Sequence, residues 1–421
     1  MRRAGKLLRK LSSASCQGYP PHDKSLKWDE VHGALGAMRK RPFFATTVMG
    51  LEDVAAREIE AILGPGVQAE AERGKGRVFF KGPFEAIYEL NLRARVLHKL
   101  FLLLHEGRFK DLEDIYRTAR ALDYTSVIEP EQSFAVRAER VGQHDFTSMD
   151  VAARVGQAII DSYIASRGVR LRVNLDDPDI EIYAFVRDDE LLIGLNTTGP
   201  SLHKRGYRVY KHPAALRTSV AAAMLYLAGW TGDGRLLDPM CGGGTIPIEG
   251  ALMARRFPPG AFRGHAFAFL KLAIADVEEF IKHRERALAE ATRELFDITG
   301  IDKFRAVLLG AEKNASSAGV ADTVRFVLGD ATRLEETVEE APTHVVVNPP
   351  YGVRMRMRGL KRLYRGFLSS LSRISSDCKL VLITAAKKTF KSSAEAVGIE
   401  IFDEKPIRHG ELWASIFVCQ I

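Results

Sequence analysis

Along residues 42–200 the apolar positions switch between two rhythms, one of every second residue and one near every 3.6. Residues 43–48 predict a strand. Leu51, Val54, Ala55, Ile59 and Leu63 then share one face at helical spacing until Gly64-Pro65-Gly66 stops the run. Val78-Phe79-Phe80 predicts a second strand, and residues 84–104 predict one or two further helices. The pattern restarts near Ser133. Residues 134–138 alternate as a strand, and Val151, Val155, Ala158, Ile159 and Tyr163 line a helix. Residues 169–173 alternate again, and 180–186 and 191–195 predict two strands across the turn Arg187-Asp188-Asp189-Glu190.

From Pro213 onward the rhythm changes to apolar strands separated by helices, the order that builds a doubly wound parallel sheet. A helix is expected over 214–227, a short strand ending near 238 and a crossover helix over 245–254. Strands follow at 296–301, 324–328, 343–347 and 379–384, with a helix over 332–339 and a closing antiparallel pair at 399–402 and 412–418. Residues 257–295, with Pro-Pro-Gly, several phenylalanines and a long charged helix, interrupt this order as an insertion. The fold class expected is α/β, a Rossmann-like sheet preceded by smaller α+β units.

Length and composition leave that picture in place. At 421 residues, 46% hydrophobic and 27% charged, the chain suits two or three globular domains. No run approaches the roughly eighteen apolar residues of a membrane span. Cys16, Cys241, Cys378 and Cys419 show neither zinc-ligand nor disulfide spacing, so no metal is expected. Charge changes the picture more. Of the net +8, residues 1–40 supply +6 through nine Lys/Arg against three Asp/Glu. They read as a basic extension, with an organelle transit peptide the less favoured alternative. Any anionic partner of the remainder must therefore meet a local patch.

Two stretches carry candidate chemistry. At 235–245 an apolar strand runs into Asp238-Pro239-Met240-Cys241-Gly242-Gly243-Gly244-Thr245, an acidic residue and a glycine turn that opens a helix. Glycines let backbone approach a ligand closely, and the helix that follows points its positive end at an anionic group. At 343–352 another apolar strand ends in Asn348-Pro349-Pro350-Tyr351. In a doubly wound sheet both ends fall on one rim. Asp302 and Asp330 close two further strands; either could accept hydrogen bonds from a nucleoside or merely cap the next helix.

Together these motifs resemble amino-directed, S-adenosylmethionine-dependent methyltransferases, and more closely the RNA guanine-N2 methyltransferases with an N-terminal THUMP domain. The resemblance covers roughly residues 42–421 and implies a basic extension (1–40), a ferredoxin-like domain (41–115), a THUMP domain (116–200), a linker (201–212) and a Rossmann-like methyltransferase domain (213–421). It implies S-adenosylmethionine as cofactor, held by His212, Pro213, Ala214, Ala215, the stretch from Asp238 to Thr245, Asp302 with Lys303 at the ribose, and Asp330 with Ala331 at the adenine. Asn348 and the Pro349 carbonyl would accept from the target amine; Pro350 stiffens the turn and Tyr351 offers a ring for the extruded base.

The best-resembled branch methylates guanosine 6 in the tRNA acceptor stem. The related 23S ribosomal RNA enzymes and N6-adenine methyltransferases remain alternatives, as does an inert RNA-binding assembly factor. RNA is thus the expected partner and the cytoplasm the expected location, with the protein acting as a monomer. Lys204, Arg205, Arg208 and Lys211, interleaved with Tyr207 and Tyr210, could serve phosphate and stacking contacts or form a solvated linker. Arg354, Arg356, Arg358, Lys361, Arg362 and Arg365 form the densest basic cluster, just past Tyr351.

Overall fold

The computed structural model describes residues 40–264, 266–351, 357–410 and 412–421. The basic extension 1–39 with Cys16, together with Arg354, Arg356 and the side chain of Arg358, lies outside the described residues.

Strands in the first half run β1 (Arg41–Thr46), β2 (Ala69–Glu72), β3 (Arg77–Gly82), β4 (Lys99–Arg108), β5 (Ser133–Val141), β6 (Arg172–Val173), β7 (Ile180–Arg187) and β8 (Glu190–Asn196). They join in one sheet, ordered β2-β3-β1-β4-β8-β7-β5-β6. Helices α1 (Glu52–Leu63), α2 (Ala86–Arg93), α3 (Leu112–Arg120) and α4 (Ser148–Arg167) intervene. The period-two pattern explains the two faces: Phe43 and Ala45 enter the main core, whereas Phe44 points the other way and stacks on Phe101 at 4.6 Å. Where α4 begins, Thr147 and Asp150 form a reciprocal capping box, and Gly168 ends it in the left-handed region.

Two expectations in this half are corrected. The helical reading of 84–104 holds only for α2; from Lys99 the chain belongs to β4, a central strand hydrogen-bonded to β1 and β8. Leu100, Phe101 and Leu102 are all buried, so both faces of the strand are covered and the alternation disappears. The alternation at 169–173 shrinks to the two exposed residues of β6. The two N-terminal units share a single sheet through the β4–β8 pairing, a junction that the sequence pattern leaves unstated.

The second half holds α5 (Thr218–Ala228), β9 (Arg235–Asp238), α6 (Thr245–Ala254), α7 (Val277–Ala289), β10 (Asp297–Asp302), α8 (Arg305–Ala318) and β11 (Val324–Leu328). After them come β12 (His344–Val347), α9 (Met357–Ile374), β13 (Lys379–Thr384), α10 (Lys387–Glu395), β14 (Glu400–His409) and β15 (Leu412–Gln420). The strand order is β11-β10-β9-β12-β13-β15-β14, parallel through β13 and antiparallel in the closing pair. The helix expected over 332–339 is instead a 3-10 turn, Ala331–Glu336, broken at Arg333. No helix among the described residues is long and apolar enough to cross a membrane.

The insertion at 257–295 braces the two halves. Its 3-10 turns and α7 bring Phe269 and Phe280 within 5.3 and 5.9 Å of the Tyr88 ring on α2, and His283 Nδ1 lies 2.6 Å from Glu89 Oε1. A Cβ on Gly260 would sit 2.3 Å from the Asn91 carbonyl oxygen, so this close approach requires glycine. On the opposite side Arg408 N donates to Met49 O at 3.0 Å, and Lys405 Nζ meets Asp53 at 2.7 Å.

Candidate active site

Strand order changes direction around β9, which pairs with β10 on one side and β12 on the other, and a doubly wound sheet opens its ligand crevice at such a switch point. Leu236 opposes His344 and Leu237 opposes Val345, so the tips carrying Asp238 and Asn348 are neighbours. Both expected stretches therefore reach one rim. The glycine turn is tied to the β10 tip by two hydrogen bonds: Cys241 N donates to Ile301 O at 2.9 Å and Gly242 N to Asp302 Oδ2 at 3.0 Å. Gly244 caps α6 with φ 78°, a conformation that a side chain would strain, and a Cβ there would press on Phe326.

Each acidic residue of the rim has its own setting. Asp238 is buried, and Met240 N donates to its Oδ1 at 3.2 Å; burial pushes its carboxyl well above the usual carboxylate range. It braces the turn from beneath. Asp302 is half-buried at the tip of β10, and Phe304 N donates to its second oxygen at 3.0 Å. Each oxygen accepts one backbone bond and keeps capacity for a second. Lys303 beside it is exposed, its ammonium 5.1 Å from the Phe304 ring. Asp330 is exposed and caps the 3-10 turn, accepting from Thr332 N and Oγ1 at 2.8 Å each, and that backbone donor holds its carboxyl below the ordinary range. Ala331 is buried behind it.

Asn348 is the polar group left open. Its Oδ1 is buried and has no hydrogen-bond partner among the described residues. A buried acceptor without a donor costs about 1–3 kcal/mol, which a bound donor would recover. Pro349 is buried beside it, Pro350 is exposed, and Tyr351 is half-buried, its phenol pushed up to about 12 by burial.

His212 lies over the glycine turn: a Cβ on Gly243 would be 3.2 Å from the His212 Cβ. Pro213 and Ala214 are exposed there, Ala215 half-buried. These positions bring a short acidic tip, a glycine floor, a helix N-terminus and an apolar lid together, a donor and acceptor set that fits an adenosyl amino acid.

The reading of the linker as a nucleic-acid contact is corrected in part. Arg205 is buried and pairs with Glu249 at 3.4 Å, while its Nη2 donates to Arg95 O at 2.9 Å. Tyr207 is buried too and donates to Glu249 Oε1 at 2.9 Å. Neither can meet a phosphate or a base. Glu249 carries the negative charge that draws both inward, and it stands on α6, which no local signal near 205 reveals. Arg208 is half-buried and donates to Leu216 O at 3.1 Å, and the Tyr210 ring lies against Gly310. Lys204 and Lys211 are exposed, as are Lys361, Arg362 and Arg365 on α9. Asn314 went unnoticed in the sequence. It stands in mid-helix among alanines and serines and bonds both the linker and the glycine turn.

Comparisons agree with this geometry. Residues 42–100 match the RlmL ferredoxin-like domain, 109–196 the THUMP domain, and 205–415 the RMKL-like methyltransferase domain. The chain is 40% identical over 380 residues to the tRNA (guanine(6)-N2)-methyltransferase of Methanocaldococcus jannaschii, covering 89% of this chain and 98% of that one. It is 43% identical over 383 residues to the enzyme of the same name from Archaeoglobus fulgidus, covering 90% and 92%. Among solved structures, SMU.472, described as a methyltransferase and complexed with SAH, superposes with a TM-score of 0.80 at 25% identity over 90% of this chain and 98% of that one. Fold, rim and relatives converge: the chain belongs to the family of THUMP-containing, S-adenosylmethionine-dependent methyltransferases that includes the archaeal tRNA (guanine(6)-N2)-methyltransferases.

Proposed function

We propose that this enzyme methylates the exocyclic N2 of guanosine 6 in the acceptor stem of tRNA, the activity named for its archaeal relatives. The observation that carries the reading is the open Oδ1 of Asn348, one strand away from the glycine turn. S-adenosylmethionine, when bound, supplies a sulfonium methyl that is already electrophilic. Asp302 would take the ribose hydroxyls, the turn from Gly242 to Gly244 and the α6 N-terminus the amino-acid end, and Asp330 the adenine amine.

The protein's remaining task is alignment. A guanine amine is a weak nucleophile because its lone pair is delocalised into the ring. Asn348 Oδ1 and the Pro349 carbonyl can accept its two hydrogens and turn the lone pair toward the methyl group. Both acceptors then stabilise the positive charge that develops on nitrogen. The proline pair holds that carbonyl in place. Asn348 is no base, so the surplus proton leaves to solvent after transfer. Tyr351 offers its ring to the extruded base, and Lys361, Arg362 and Arg365, exposed on the helix that follows, suit the flanking phosphates.

All these groups belong to one chain, which supports action as a monomer, and a tRNA substrate suits a cytoplasmic enzyme. Incubation with methyl-labelled cofactor and transcribed tRNA, followed by nucleoside analysis, tests the reading. Label should appear in N2-methylguanosine and vanish when guanosine 6 is replaced by adenosine. Label in N6-methyladenosine, or transfer confined to ribosomal RNA, overturns it.

A further inference from the structure

Asn314 stands on α8, only 1% exposed, and uses its whole amide in three directions. Its Nδ2 donates to Gly243 O at 2.9 Å and to Tyr210 O at 3.1 Å, while Tyr210 N donates to its Oδ1 at 2.8 Å. One side chain thus closes a ring of bonds between the glycine turn, the helix behind it and the linker from the first half. Next to it the Tyr210 ring lies so flat on Gly310 that a Cβ there would sit 2.3 Å from the ring. Two residues beyond Tyr210, His212 covers Gly242 and Gly243. The linker has no strand partner and no regular structure at this point; its other backbone bonds along 208–212 are local, Val209 N to Tyr207 O and Ala215 N to His212 O, so among the described residues Asn314 alone ties its backbone to the sheet domain through a pair of bonds.

We infer that Asn314, with the space left by Gly310, is a positioning residue that fixes the 210–215 segment over the glycine turn and so completes the cofactor pocket. Without it the pocket keeps its floor and loses its cover. A nucleoside cofactor then binds with less burial and more freedom, whereas the target amine, aligned by Asn348, is affected only through that loss. The inference deepens the reading above and rests on its cofactor, not on its RNA.

Two variants approach the same junction from opposite sides. Asn314→Ala removes the bonds; Gly310→Ala keeps them within reach but drives the Tyr210 ring away, at a helix position where alanine is otherwise the better helix former. Both should weaken S-adenosylhomocysteine binding, titrated by calorimetry, by about tenfold or more, the worth of one or two buried hydrogen bonds. Both should raise KM for the methyl donor while kcat at saturation falls less than about threefold. Thr323→Val is the control for plain destabilisation: Thr323 Oγ1 accepts from Phe296 N at 2.6 Å and bonds Phe296 O at 3.2 Å at the opposite end of the sheet. It should lower the melting temperature and leave cofactor affinity unchanged. If Asn314→Ala and Gly310→Ala bind S-adenosylhomocysteine as tightly as the unaltered protein, or no more weakly than Thr323→Val, the inference is overturned. An unaltered protein that binds the cofactor and methylates no tRNA would refute the proposed substrate and leave this assignment standing.

Discussion

The two sheets bury their strands by the same physics and differ in where they gather their polar groups. On the face of the first sheet that carries Phe44, Phe101 and Phe185, several charged groups pair with one another, although Glu72 Oε2 and Arg187 Nε are buried without a hydrogen-bond partner among the described residues. Lys75 bridges Glu72 and Glu190 at 2.5 and 2.9 Å, and Arg137 and Asn196 both bond Glu181, at 3.1 and 2.8 Å. Along the rim of the second sheet, carboxylates and amides keep capacity in reserve: Asp302 at a strand tip, Asp330 in the open and Asn348 with an acceptor unmet among the described residues. The helices also differ in effect. Crossover helices place every parallel strand end of the second sheet on one side, while the largely antiparallel first sheet distributes its ends and gathers no such rim. Hydrogen-bonding capacity gathered at a switch point, rather than total charge, is what marks the methyltransferase half.

That contrast can be broken most severely at Arg205, a linker cation whose partner lies inside. Arg205→Ala leaves Glu249 buried without its counter-ion and should cost about 3–5 kcal/mol in denaturant unfolding. The salt dependence of tRNA binding should stay as it was; a shallower salt slope with unchanged stability would return Arg205 to the RNA surface. Asn348→Ala comes next. It should slow methyl transfer by about a hundredfold to a thousandfold in single-turnover assays, the usual cost of losing a group that meets developing charge, with S-adenosylhomocysteine affinity nearly unchanged. A variant that keeps its rate would remove Asn348 from the chemistry.

Asp302→Ala should act on binding rather than rate, weakening S-adenosylhomocysteine about tenfold to a hundredfold in titration, since a charged acceptor contributes about 1.5–3 kcal/mol. Equal affinity would mean that Asp302 only ties the turn. The smallest effect separates exposed cations from paired ones. Neutralising Lys361 and Arg362 together should reduce the salt slope of tRNA binding by about one for every phosphate left without its cation. Lys75→Gln, already paired in the first sheet, should leave that slope alone.

Legibility followed how local each feature is. The glycine turn and Asn348-Pro349-Pro350-Tyr351 could be read directly because backbone geometry and side-chain chemistry coincide within a few residues. The second sheet's strands at 324–328 and 379–384 were equally plain, being short apolar runs between helices. Strand β4 was not, because a strand covered on both faces loses its alternation and matches a buried helix. Arg205 and Tyr207 looked like RNA contacts for a related reason: exposure is a property of the neighbours, and their neighbour Glu249 is more than forty positions away by the hydrogen bond it makes.

By itself, the sequence determined where most strands and the glycine turn form in the second half, which residues are candidates to meet a methyl donor and a purine amine, and to which family the motifs point. Tertiary structure decided which of the basic side chains are free, that one continuous sheet joins the two N-terminal units, that the insertion braces the halves, and that Asn314 ties linker to glycine turn. The first set depends on bonds and sterics among adjacent residues, which composition and spacing encode. The second depends on which distant groups are brought together once apolar surface is buried, and only the folded chain fixes those pairings.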